Sequence, residues 1–265
     1  LFQIPQKSDT KSAIKTLYQA RNGDFWVASR NAEVYQLNAE GAIKMIFSSK
    51  TYAIGNVYHI MEDSNGSLWF STKGNGLVRA VFDSRSKLGY QFTRFSAETS
   101  NQFSISGNDV YFTYEDNKNR IWVALFGGGL NLITQKGSEI LFTSKFNSFK
   151  NYPKYGLYME VRNITEDKNG RIWVGTSDGL MSFKNDFKNS ESIEFETYRS
   201  DNALSNISDN DIYVLYKDDA DDIWISVFGG GLNKLIQYDE RKKKPVFEEY
   251  GSKEGLKSDV ILAIV

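Results

Sequence analysis

Apolar residues fall along the chain in short runs parted by turn-forming clusters, and the runs repeat in a fixed order. One run begins at Ile14, Val57, Val110, Val161 and Ile212 and leads into a polar turn; the next is centred on Trp26, Trp69, Trp122, Trp173 and Trp224. These tryptophans are the only ones in the chain and recur about every 50 residues, the period of one propeller blade rather than of a helical repeat. Phe25, Leu68, Ile121, Ile172 and Ile223 precede the indoles and Val27, Phe70, Val123, Val174 and Ile225 follow them. Such unbroken apolar runs predict strands buried on both faces.

Other columns keep the same register. Two residues after each Trp stand Ala28, Ser71, Ala124, Gly175 and Ser226, all small and on the Trp face of the strand. They predict room for a neighbouring blade's indole. Six residues before the Trp stand Asp63, Asp116, Asp167 and Asp218, with Ala20 departing, and three before it stand Gly23, Gly66, Asn119, Gly170 and Asp221. An Asp that bonds its own backbone two residues on, followed by a residue tolerant of positive φ, predicts a hairpin turn. Gly-rich loops follow the Trp strand at 73–77, 126–130, 177–180 and 228–232, then a third strand, as at Leu130 to Ile133 and Leu232 to Ile236. A fourth ends in aromatic pairs such as Phe92/Phe95, Phe195/Tyr198 and Phe247/Tyr250.

The expectation is an all-β β-propeller with four-stranded antiparallel blades spanning residues 1–265. Five complete blades fall roughly at 12–50, 55–97, 107–150, 158–200 and 209–251, and the start of another at 258–265. Val260 falls in the column of Val57 and Ile212, and Phe2 to Ile4 resembles the outer strand of a preceding blade, so the piece is read as part of a larger, seven-bladed propeller. Cut from its parent, it is expected to associate through unpaired ends.

Composition narrows the function. Hydrophobic residues make up 40% and charged residues 25%, as in ordinary soluble domains. A net charge of −1 supplies no footprint for nucleic acid or an anionic membrane, and the basic run at 241–244 reads as a solvated loop. No cysteine is present, so there is no disulfide framework, thiolate zinc site or Cys nucleophile. No stretch is long and apolar enough to cross a bilayer as a helix.

The pattern V-x-x-I-x-E-D-x-x-G-x-I-W-V-x-T-x-x-G-L, clearest at 161–180 and 57–77, resembles the two-component regulator propeller repeat. That resemblance implies the periplasmic ectodomain of an inner-membrane hybrid two-component sensor that binds oligosaccharide and signals to a histidine kinase outside this segment. It also implies partners in the remainder of the parent chain and a homodimer of the parent. The repeat motif is scaffold and transfers no ligand residue by position.

Chemical motifs have plainer readings. GGGLN, present twice, lacks the Lys-Ser/Thr of a phosphate loop and leads to a strand, which favours a hairpin. The acidic turn at 218–222 lacks the spaced ligands and closing Glu of a calcium loop. His59, the single histidine, supports no His-rich metal site and reads as an interior residue. The Asp turns resemble the sialidase Asp-box, whose Asp stands one residue nearer the aromatic. No catalytic residue, metal or cofactor is expected. The alternatives are a propeller enzyme, a polysaccharide lyase or glycoside hydrolase needing paired carboxylates, and a protein-interaction scaffold.

In an up-and-down blade the Gly-rich loops and blade connectors share one face and the Asp turns the other, and binding is expected on the first. Its variable residues are Arg30, Asn31, Lys73, Asn75, Phe126, Asp178 and Phe228 in loops, with Arg162 and Asp211 near the starts of first strands. Aromatic faces stack on sugars and polar groups fix hydroxyls.

Overall fold

A computed structural model describes residues 13–48, 52, 54–154, 158–201 and 205–264. The first blade runs through β1 (Ile14–Gln19), β2 (Phe25–Ser29), β3 (Glu33–Leu37) and β4 (Ile43–Ser48). The second holds β5 (Asn56–Glu62), β6 (Leu68–Lys73), β7 (Leu77–Phe82) and β8 (Tyr90–Phe95), and the third β9 (Val110–Glu115), β10 (Ile121–Leu125), β11 (Gly129–Lys136) and β12 (Glu139–Thr143). The fourth holds β13 (Val161–Glu166), β14 (Arg171–Thr176), β15 (Gly179–Lys184) and β16 (Glu196–Tyr198), and the fifth β17 (Ile212–Lys217), β18 (Ile223–Val227), β19 (Gly231–Asp239) and β20 (Lys244–Tyr250). Each is a four-stranded antiparallel meander in chain order. The propeller expected from the columns is present. Phe2 to Ile4 lies outside the described residues. Residues 258–264 form no strand: Asp259 O accepts from the Gly231 N–H at 3.0 Å and Ile261 O from the Ser226 hydroxyl at 2.5 Å.

First strands pack in succession, β1 on β5, β5 on β9, β9 on β13 and β13 on β17, which makes them the innermost strands. The core lies between blades. Trp26 sits with Val57, Ile60 and Phe70 of the second blade, Trp122 with Val161 and Phe183 of the fourth, and Trp173 with Ile212 and Leu215 of the fifth. At Gly175 the small residue after the Trp has a different reason from the one expected. A Cβ on Gly175 would stand 2.7 Å from Ile212 Cγ2, so the space is reserved for the aliphatic side chain that opens the next blade's first strand, not for an indole.

The Asp turns do more than turn. Oδ1 of Asp63, Asp116, Asp167 and Asp218 accepts the backbone N–H groups two and four residues on, at 2.8–3.0 Å. Oδ2 accepts the indole N–H of Trp69, Trp122, Trp173 and Trp224 at 2.8–3.0 Å. Burying an indole leaves a donor that must be satisfied, and the carboxylate six residues upstream does it. The Glu beside that Asp links blades: Glu62, Glu115 and Glu166 accept the backbone N–H of Arg21, Ser64 and Asn117 from the preceding blade's turn at 2.7–2.8 Å. Lys217 occupies this position in the fifth blade.

The Gly-rich loops answer to sterics. Gly179 and Gly231 have φ of 115° and 69°, and a Cβ on either would stand 2.4 Å from a backbone carbonyl oxygen, of Tyr198 or Tyr250. Only glycine lets the third strand start so close to the end of the fourth.

Candidate binding face on the inner strands

Every innermost strand breaks its ladder at the same place. Pairing skips Lys15 between Ile14 and Thr16, Tyr58 between Val57 and His59, Tyr111 between Val110 and Phe112, Arg162 between Val161 and Asn163, and Tyr213 between Ile212 and Val214. Each is a β-bulge, one extra residue set against a single partner, which re-aims its side chain. On blades two to five the aliphatic residue before the bulge, Val57, Val110, Val161 or Ile212, is buried between blades, whereas Ile14 of the first blade is exposed; the bulged residue is released from that core.

The released side chains meet between the first three blades and again between the fourth and fifth. Lys15 Nζ lies 3.1 Å from the centroid of the Tyr58 ring, Tyr58 stacks on Tyr111 at 4.8 Å, and the Arg162 guanidinium lies 5.2 Å from the Tyr213 centroid. Two Gly-loop aromatics join them, Phe126 stacked on Tyr111 at 5.4 Å and Phe228 tilted against Tyr213 at 6.5 Å. The result is a belt of rings and cations at the Gly-loop end of the inner strands.

Charge is unevenly distributed around it. On blades one and two, Lys15 Nζ donates to Asn56 Oδ1 at 3.3 Å, and Lys73 pairs across the ladder from Asn56. On blades three to five the residue two before each bulge is an acid, Asp109, Glu160 or Asp211. Asp211 is ion-paired to Arg162, while Asp109 O accepts the Phe126 N–H at 2.9 Å and Glu160 bridges Phe126 from the other side. The phenols register this polarity. Burial pushes Tyr58 up, but Lys15 and Lys73 outweigh it and hold the phenol below its ordinary value. Burial pushes Tyr111 up, the Tyr58 phenol adds to that, and Arg162 opposes it.

Of the residues singled out in the sequence, Phe126, Arg162, Asp211 and Phe228 come together in the belt, and Lys73 stands at its cationic end. Asn75 Nδ2 donates to Ile54 O at 3.3 Å and its Oδ1 accepts from Arg94 at 2.9 Å. Asp178 is ion-paired to Arg199 on the rim of the fourth blade. Arg30 and Asn31 are exposed on the β2–β3 turn, where the Arg30 N–H donates to Ala13 O at 2.9 Å. Sequence reasoning missed Lys15, Tyr58, Tyr111 and Tyr213. Their signal was the position directly after the aliphatic column that opens each first strand.

His59 lies beside the belt, its ring stacked on Phe112 at 3.8 Å and its Nδ1 3.4 Å from both the Thr113 N–H and hydroxyl. Burial lowers its pKa to about 3, so the ring is neutral. Among the described residues no group of three or more His, Cys, Asp or Glu is placed to hold a metal ion.

The two component regulator propeller model matches residues 51–74 and 156–178, the repeats that carry the fullest form of the motif. Histidine kinase P4 of Formosa agariphila is 33% identical over 95 residues, 35% of this chain and 7% of that protein. Among solved structures, PorZ, a surface component of the type-IX secretion system of Porphyromonas gingivalis, superposes with a TM-score of 0.67 at 16% identity, over 95% of this chain and 35% of that one. A streptogramin B lyase superposes with a TM-score of 0.62 at 16% identity, over 94% of this chain and 72% of that one. At such identities the likeness to both is one of fold.

Proposed function

The chain is built from two-component regulator propeller repeats, and from that premise we propose that it is the ligand-sensing propeller of a hybrid two-component sensor, binding an oligosaccharide on the belt. It would sit in the periplasm as part of the ectodomain of an inner-membrane protein. Binding would be passed to a kinase in the rest of the parent chain, which would act as a homodimer. No helix among the described residues is long and apolar enough to cross a membrane, so the anchor in this reading belongs to the parent.

The observation that carries the reading is the in-register bulge. Five repeats release the side chain at one position of the innermost strand, and those positions hold Lys15, Tyr58, Tyr111, Arg162 and Tyr213. A bulge re-aims its side chain, and bulges are over-represented at sheet edges and beside functional sites. Phenol hydroxyls and ring edges at the Gly-loop end offer polar and apolar contacts to a sugar, and the acids at 109 and 160 offer acceptors to hydroxyls.

Calorimetry with oligosaccharide panels, followed by chromatography of the same mixtures, tests it. Saturable binding without product is expected, with Tyr111→Ala and Phe126→Ala each weakening it about tenfold or more. Product formation would replace the sensor with an enzyme. That second reading has one specific support: the backbones of Asp109 and Glu160 both meet Phe126, so two acids are carried on neighbouring segments, and glycoside hydrolysis needs two carboxylates about one sugar. In that case Asp109→Asn or Glu160→Gln would abolish turnover while binding survived.

A further inference from the structure

The belt is polarised, and polarity selects among saccharides. At one end, Lys15 and Lys73 stand on either side of Asn56, Lys15 over the face of Tyr58 and Lys73 close enough to lower its phenol. Among the described residues neither ammonium meets a carboxylate. The other cation of the belt, Arg162, is committed to Asp211. Lys15 and Lys73 thus both border Asn56 and Tyr58, while the opposite arc carries Asp109, Glu160 and Asp211. Two cations bordering the same polar group favour an anion that both can reach.

We propose that Lys15 and Lys73, with Asn56 and the Tyr58 hydroxyl, form a subsite for the acidic group of the saccharide, a carboxylate of a uronic acid or a sulfate ester. This rests on the oligosaccharide reading and adds a chemical class and an orientation to it. The acidic sugar sits over blades one and two beside the Tyr58 hydroxyl, and the adjoining sugars run past Tyr111 towards the acidic arc. There Asp109 and Glu160 accept hydroxyl protons and repel a second acid in the wrong register.

The test compares three trisaccharides by calorimetry on the chain: an oligogalacturonate, its carboxyl-reduced neutral form, and that neutral form carrying one sulfate. Binding of the uronate or the sulfated sugar at least about tenfold tighter than the neutral one is expected, from two charge-assisted hydrogen bonds. Whichever acid is preferred identifies the source of the anion. Lys15→Gln and Lys73→Gln should each bring the acidic ligand down towards the neutral level without moving neutral binding, and should flatten the salt dependence of the acidic ligand. Equal binding of all three sugars, or a preference that survives both lysine changes, overturns the subsite and leaves the saccharide reading standing. Absence of binding by every sugar overturns both. Circular dichroism of the lysine variants, both changed at the surface, separates lost affinity from lost fold.

Discussion

The first blade and the four that follow solve the same packing problem with one part different. All five fold the same hairpin. Ala20 N–H donates to Asp24 O at 2.8 Å and Gly23 N–H to Ala20 O at 2.9 Å, as Asp63 N–H does to Ser67 O and Gly66 N–H to Asp63 O, both at 2.9 Å. The residue three before the Trp is left-handed in every blade, with φ between 58° and 88°. Ala20 therefore shows that the turn forms without the carboxylate. What the first blade lacks is the acceptor for its indole. Trp26 is fully buried against Phe47, Phe70 and Tyr90, yet among the described residues its Nε1 has no partner. The Asp is thus principally a device for burying a Trp, and the turn is where it is stationed. Asp24 takes over part of the local bonding: its Oδ2 accepts from Gln36 and Lys44, both at 2.7 Å. Burial pushes its carboxyl up, but these donors outweigh it and hold it below the usual range.

The sharpest way to break the comparison is to impose the first blade's deficit on the third. Asp116→Ala would strip acceptors from the Lys118 and Arg120 N–H groups, the Trp122 indole and the Arg120 guanidinium together. A loss of about 3 kcal/mol is expected, since each stranded buried donor costs roughly 1–3. Denaturant unfolding measures it, and a cost under about 1 kcal/mol would reduce the carboxylate to a turn residue. A smaller contrast follows from removing the donor instead. Trp122→Phe loses packing and a satisfied bond, whereas Trp26→Phe loses packing but also removes a stranded N–H. The second should cost less by about 1–2 kcal/mol. Equal costs would mean that the indole of Trp26 finds an acceptor after all.

Much of the scaffold was legible because its reasons are local or repeat at fixed spacing: the Trp, the Asp six before it, the small residue two after and the Gly-rich loop each depend on one residue type. Their partners were less legible. Nothing in the spacing says that Gly175 faces Ile212 rather than an indole, or that the Glu of the Glu-Asp pair reaches back to the previous blade, because both contacts cross between repeats. The belt was harder still. Strict alternation puts Tyr58 and Tyr111 on the face opposite Val57 and Val110, and the bulge that re-aims them leaves no mark on the residues themselves. Its column, Lys, Tyr, Tyr, Arg and Tyr, is chemically mixed, as expected where scaffold is constant and ligand contacts vary. Phe126 and Phe228 were visible because they interrupt Gly-rich loops, and Arg162 and Asp211 because they sit at strand starts.

The gentlest test restores the missing part. Ala20→Asp would place a carboxylate where the backbone already has the geometry that Asp63 exploits, with the Gly23 turn and the buried indole six residues on unchanged. Oδ2 would gain the Trp26 N–H and Oδ1 the Asn22 N–H, the Asp24 N–H already donating to Asn22 Oδ1 at 3.0 Å. Against this, Ala20 is 7% exposed, so the new charge must be desolvated, and Asp24 and Glu62 lie nearby as like charges. Arg21, which already meets Glu62 at 3.7 Å, and Lys44 are the counter-charges. Bonds to a charged acceptor are each worth roughly 1.5–3 kcal/mol net of hydration, and burial with repulsion takes back most of their sum, so a net gain of about 1 kcal/mol is expected. It should appear as a higher denaturant midpoint with an unchanged slope. A gain seen in Ala20→Asp but absent when Trp26 is also changed to Phe would assign it to the indole bond; the same gain in both would return it to the turn, and with it the view that the first blade's Ala is merely a weaker turn residue.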